Sequence, residues 1–169
     1  MTERYLISVK VCIGARDEYT TRADKTSKMN IYDPTDEFDE GFPDELPTVE
    51  EFDSHHDSVV EEYNLKYTGL NRNVTNPGQK VHAILQDADE QEDSYMKAAT
   101  LLRRLPVLHV YEDGNKRTTW LTVTDYLDRK GAQYPDDPEQ VEKVMKQIRS
   151  FSIDELSEWL RTGEIELRR

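Results

Sequence analysis

One stretch of the chain differs from its amphipathic surroundings: His109-Val110-Tyr111-Glu112-Asp113-Gly114-Asn115-Lys116-Arg117. An imidazole, two carboxylates, a glycine, a carboxamide and two cations fall within nine residues. The spacing of apolar residues predicts a helix from about Thr118, so the stretch is a loop running into a helix N-terminus. The first N–H groups of a helix have no internal partner, and the helix dipole places roughly half a positive charge there. Gly114 allows a tight turn and the close approach of a bulky anion. Asn115, Lys116 and Arg117 add donors, two of them charged, completing a cradle suited to a phosphate chain. Asp113 beside that cradle makes sense as a ligand of a divalent cation, Mg²⁺ first, shared with the phosphates. His109, with a reference pKa of about 6.5, is placed to take a proton from an attacking hydroxyl. Base, metal ligand and anion cradle are the parts that phosphoryl or nucleotidyl transfer needs. The bland reading is that Asp-Gly-Asn-Lys is an ordinary turn and the histidine a capping or core residue.

Helices must position this loop. Thr48 and Glu51 form a capping-box pattern, after which Val49, Phe52, Val59, Val60 and Tyr63 recur at helical spacing. Pro77 opens a second helix carrying Val81, Ile84, Leu85 and Ala88. A third, from about Asp93 to Leu105, turns Met96, Ala99, Leu102 and Leu105 inward, and Pro106 is expected to end it. The Thr118–Arg129 helix aligns Trp120, Val123 and Leu127, with Gly131 as its stop. Pro138 opens another, with Val141, Val144, Met145 and Ile148. Ser152 and Glu155 repeat the capping box before Leu156, Trp159 and Leu160. Leu65 to Asn76 reads as a loop or small hairpin. Tyr5, Ile7, Val9, Val11 and Ile13 alternate with more polar neighbours, the pattern of a half-buried strand. Gly14 to Leu46 is poor in apolar residues and rich in Asp, Glu, Pro and Thr. It either hides a short element around Met29 to Tyr32 or wraps the surface as an acidic arm. The expectation is a mainly α fold with a short N-terminal strand, divided into an extension, 1–47, and a helical domain, 48–169.

The nine-residue stretch resembles the signature of the Fic/Doc family, H-x-F-x-[D/E]-[G/A]-N-[G/K]-R, with Tyr111 in place of phenylalanine. Asn115-Lys116-Arg117-Thr118 looks more like the Doc branch, the death-on-curing toxins, which have Asn-Lys-Arg-Thr where most Fic enzymes have Asn-Gly-Arg. The resemblance extends, as an order of helices, from about Thr48 to the C-terminus. It implies a Fic-fold helical bundle with a flap at Leu65 to Asn76. It also implies ATP and Mg²⁺ as cofactors and a protein substrate. Fic enzymes usually transfer AMP to a protein hydroxyl, whereas Doc phosphorylates a threonine of elongation factor Tu and is neutralised by an antitoxin. Carried over by position, His109 is the general base, with Lys116 and Arg117 beside it in the catalytic set. Asp113 is the metal ligand, and Gly114, Asn115, Lys116 and Arg117 bind phosphate. Trp120 stands where the longer Fic signature has a second arginine. That departure favours a kinase over an AMP transferase, or else marks an inactive partner-binding member. The inhibitory pattern [S/T]-x-x-x-E-[G/N] of many Fic proteins is broken twice, by Tyr63 after Ser58–Glu62 and by Leu167 after Thr162–Glu166. An inhibitor supplied by an antitoxin partner is the expectation.

Composition narrows the partners. The 169 residues carry 35 acidic against 22 basic side chains, a formal net charge of −13. Such a surface repels nucleic-acid phosphates and anionic lipid. It fits either a salt-loving source or an acidic protein made to meet a basic partner. No apolar run approaches the roughly 20 residues of a membrane span, and no signal peptide is evident at Met1 to Ile13. The single cysteine, Cys12, fits a reducing cytoplasm. His55-His56-Asp57 falls mid-helix without the rest of a metal site, and His82 reads as structural or solvated.

Overall fold

The computed structural model describes Ile31 and residues 46–168. The expected strand at Tyr5–Ile13 and most of the acidic stretch lie outside these residues. Six α-helices occur among those described: α1 (Val49–Tyr63), α2 (Pro77–Asp89), α3 (Ser94–Leu108), α4 (Asn115–Arg129), α5 (Pro138–Lys146) and α6 (Ile153–Thr162). A 3-10 turn, Ile148–Ser150, joins α5 to α6. The fold is mainly helical.

Helix starts follow local chemistry. Thr48 Oγ1 accepts the Glu51 N–H at 3.1 Å while Glu51 accepts the Thr48 N–H at 2.9 Å. Ser152 and Glu155 make the same reciprocal pair before α6. Asp93 accepts the N–H groups of Tyr95 and Met96 at the start of α3. Each arrangement satisfies donors that a helix N-terminus otherwise leaves bare.

Helix α3 is the spine. It packs against α2, α4 and α6, while α1 lies against α4. Its Ala98, Ala99, Leu101, Leu102 and Leu105 are fully buried, and each leucine contributes roughly 2 kcal/mol of apolar burial. Trp120 of α4 and Trp159 of α6 meet at a centroid distance of 5.7 Å, with the Tyr134 ring edge-on to Trp120 at 6.2 Å. Ile31 and Leu46, upstream of α1, are buried in the same core.

Two helix ends depart from the sequence expectations. Pro106 does not end α3, which continues to Leu108. A proline forfeits its own N–H bond and crowds the carbonyl one turn back, but Pro106 lies within the last turn, and Leu105 and Pro106 are both buried against the core. The helix stops instead at His109, whose φ of 49° is left-handed. Helix α4 begins at Asn115, three residues before the expected Thr118, because Gly114 at φ 80° forms its N-cap. Asn115, Lys116 and Arg117 are therefore the first helical turn, and their side chains point in three different directions.

Candidate active site

The α3–α4 connection, residues 109–114, starts at one left-handed residue and ends at another, so the chain reverses within six positions. Asn115 closes this loop from inside. Its Oδ1 accepts the Tyr111 N–H at 3.0 Å and its Nδ2 donates to the Tyr111 carbonyl at 2.7 Å. The 65–76 segment closes it from outside through an antiparallel bridge between Leu70 and Tyr111. The Asn71 N–H donates to Val110 and the Glu112 N–H to Gly69, both at 2.9 Å. Asn71 Nδ2 adds a bond to the His109 carbonyl at 2.9 Å. The flap region is thus a loop paired with the motif itself.

Beneath the loop lies a buried polar wall on α1 that includes Asp53 and His56. The His56 ring stacks on Tyr111 at 3.4 Å with 5° between planes. Its Nδ1 lies 3.0 Å from Thr118 Oγ1, and Tyr111 donates its hydroxyl to Asp53 Oδ1 at 2.9 Å. Burial, and then the Asp53 carboxylate, hold the Tyr111 phenol far above its usual range, so it stays protonated and donating. Replacing Tyr111 with phenylalanine should destabilise the fold by about 1–3 kcal/mol, since a buried carboxylate loses a donor. Urea denaturation of Y111F measures it, and an unchanged midpoint would contradict this role.

Burial lowers the His56 pKa from 6.5 to about 4, with Asp57 and Asp113 pulling weakly the other way. A base whose folded pKa is depressed binds fewer protons folded than unfolded. Stability is therefore complete above about pH 6.5 and declines as pH falls towards 4, by up to about 1.4 kcal/mol per pH unit for one proton. Burial lowers His55 in the same direction. Urea melts at pH 7 and pH 5 should show the decline, with a shallower slope in His56→Phe.

The motif faces a cleft of about 370 Å³, whose opposite side is Glu142, Met145 and Lys146 of α5. That volume suits a small-molecule ligand. His109 is exposed at its rim. Arg149 Nη2 lies 2.9 Å from His109 Nε2, and since a guanidinium only donates, Nε2 is the acceptor. Asp113 is exposed, with Oδ1 taking the Gly114 N–H at 2.6 Å and the second oxygen left for another ligand. The Lys116 side chain is exposed, and burial of part of its length together with Arg149 and Lys146 lowers its ammonium pKa. Arg117 lines the cleft but rests its guanidinium over the Tyr63 ring at 4.9 Å. The structure thus brings His109, Asp113, Gly114, Lys116 and Arg117 to one cleft, while the Asn115 carboxamide is engaged within the loop.

One family model, that of the Fic/DOC family, matches residues 38–127, just over half of the chain. The chain belongs to the Fic/DOC family. No curated protein and no solved structure matches it. Fic/DOC enzymes transfer nucleotide-derived groups to proteins and use ATP and Mg²⁺ in general. Among the described residues, no three His, Cys, Asp or Glu side chains converge as a metal cage. Asp113 with one uncommitted oxygen fits a different mode, Mg²⁺ shared between one carboxylate and substrate phosphates. No described helix of this Fic/DOC protein is long and apolar enough to cross a membrane.

Asp53, Lys146 and Arg149 have no place in the site as the sequence reads it, and His56, which the sequence offers only as part of a weak metal-like run, belongs to its buried wall. Asp53 and His56 fall in the same helical stripe as Val49, Phe52 and Val59, a spacing that signals burial of both polar groups. His55 turns elsewhere, to Thr122 at 2.9 Å and Asp125 at 3.8 Å. Lys146 and Arg149 carry no local signal, since only folding carries them to the motif.

Proposed function

We propose that this protein is a Doc-like toxin kinase that moves the γ-phosphoryl group of ATP to a hydroxyl side chain of a target such as a translation elongation factor. The observation that carries the reading is the first turn of α4. Lys116 lines the cleft where AMP-transferring members have glycine, and Trp120, at the place of their second arginine, is buried against Trp159. A cation close to the helix mouth favours the most highly charged end of the nucleotide, its terminal phosphate.

In this reading the acceptor oxygen attacks the γ-phosphorus and the hydroxyl proton passes to Nε2 of His109. The bond from the γ-phosphorus to the bridging oxygen breaks, and ADP leaves with the electron pair. The N–H groups of the first α4 turn, Lys116 and Arg117 hold the phosphate oxygens in line, which is most of what this chemistry requires. Asp113 would hold Mg²⁺, which when bound neutralises phosphate charge. The Asn115 clamp acts earlier, by fixing the loop that aims His109 and Asp113 at one ligand.

An antitoxin as inhibitor belongs to the same proposal. The residue that breaks the inhibitory pattern after Ser58–Glu62 is Tyr63, and its ring supports Arg117. Residues 1–47 are proposed as an extension of the 48–169 catalytic domain, tied to the core at Ile31 and Leu46, and the cytoplasm as the compartment.

Incubation of the protein with a cell lysate and either γ- or α-labelled ATP tests the reading. Label transferred to protein from the γ position alone is the expected result. Label from the α position alone would replace the kinase with an AMP transferase. No label from either, with folded protein, would leave a partner-binding member of the family.

A further inference from the structure

Arg149 reaches the motif from outside it. Its backbone sits in the 3-10 turn between α5 and α6, where Ile148 and Phe151 on either side are buried. Arg103 of α3 braces that turn, donating from Nη2 to the Arg149 carbonyl and from Nε to the Phe151 carbonyl, each at 2.9 Å. From this fixed base the exposed Arg149 side chain places Nη2 2.9 Å from His109 Nε2. The bond occupies the lone pair that would accept a proton from a hydroxyl.

A second groove, of about 580 Å³, opens on this side and shares His109, Lys116 and Lys146 with the motif cleft. Arg149 and Arg168 also line it. Lys146 is paired with Glu142, and Arg168 with Glu155. Lys116 and Arg149 have no carboxylate partner among the described residues, although the chain carries a net charge of −13. Four gathered cations, two of them without counter-charges, in so acidic a protein mark a place for a ligand with several negative charges. The groove adjoins the α4 N-terminus through Lys116 of its first turn.

We propose that Arg149 is a positioning residue that answers to nucleotide: in the free protein it caps His109 Nε2, and the polyphosphate of a nucleoside triphosphate draws it away and so frees the base. The inference rests on the reading of this site as an ATP-dependent transferase. A guanidinium bonds a phosphate through two charged hydrogen bonds, against one to a neutral imidazole, so the exchange is favourable once phosphate arrives. The base is then available only when the phosphoryl donor is in place.

The test uses the full chain, Arg149→Ala and Arg149→Lys. Because Arg149 is exposed, both variants should fold. In ¹⁵N-imidazole spectra, with His109 assigned from His109→Ala, inorganic pyrophosphate should shift the Nε2 signal of wild type. R149A should have a shifted signal from the start and respond little, with R149K between them. In the transfer assay R149A should raise the KM for ATP roughly ten- to hundredfold with a smaller change in kcat, and R149K should recover part of the loss. A wild-type spectral response and KM retained in R149A would overturn the role of Arg149 while leaving the transferase reading intact. Absence of any wild-type response to pyrophosphate and of any ATP-dependent labelling would overturn both.

Discussion

Replacing His109 by alanine should lower the rate of protein modification by about 10²- to 10⁴-fold, the range by which a positioned general base accelerates a reaction. ATP binding should remain close to wild type, because the proposed base acts on the attacking group and not on the nucleotide. The structure separates these effects well. His109 is exposed at the end of α3, with its ring on the cleft rim and no part in the core. The position has a left-handed φ of 49°, which asparagine adopts more readily than alanine. His109→Asn therefore controls for backbone strain: it should be as inactive as His109→Ala and at least as stable. Initial rates with labelled ATP and calorimetric titration with ATP measure the two halves. A variant that modified its target at the wild-type rate would remove His109 from the mechanism.

Gly114→Val should have the largest combined effect on stability and activity. Gly114 has φ 80°, a conformation costing a residue with a Cβ about 1–2 kcal/mol. A Cβ there would lie 2.8 Å from Leu65 Cδ1 and 3.4 Å from both His56 Cε1 and Val59 Cγ1. Leu65 can swing its terminal carbon aside, so alanine should meet mainly the backbone cost. Valine brings its added methyls towards the α1 wall, where His56 and Val59 are buried. Stability should fall in the order Gly, Asn, Ala, Val, with asparagine favoured over alanine because it tolerates positive φ. Activity should fall further than stability alone explains, since Gly114 is the N-cap that sets the direction of the first N–H groups of α4, the proposed phosphate donors. Urea denaturation and kcat/KM of the four proteins test the order. Equal stability of the alanine and glycine forms would show that this turn carries no strain.

Much of the site was legible because its signals are local. The capping boxes at Thr48 and Ser152, Pro77 and Pro138 at helix starts, and the apolar stripes between them each act within one or two turns of chain. The nine-residue motif is likewise local, since a loop entering a helix brings its own residues together. Sequence and structure part where a local rule meets a tertiary force. Pro106 is a helix breaker by its own geometry, yet burial in the core carried the helix past it. Gly114 reads as a turn residue, but its left-handed backbone starts α4 three residues earlier than the apolar spacing predicts.

The sequence by itself determined the helices, the motif and the family, because propensity, capping and contiguous chemistry are written in neighbouring residues. Tertiary structure alone decided what each polar side chain does. It engaged Asn115 with the Tyr111 backbone, laid Arg117 on Tyr63, buried His56 against Tyr111 and brought Arg149 across forty residues to His109. Those commitments depend on which helices pack together and at what angle, which is a property of the assembled core and has no signature in a short window of chain.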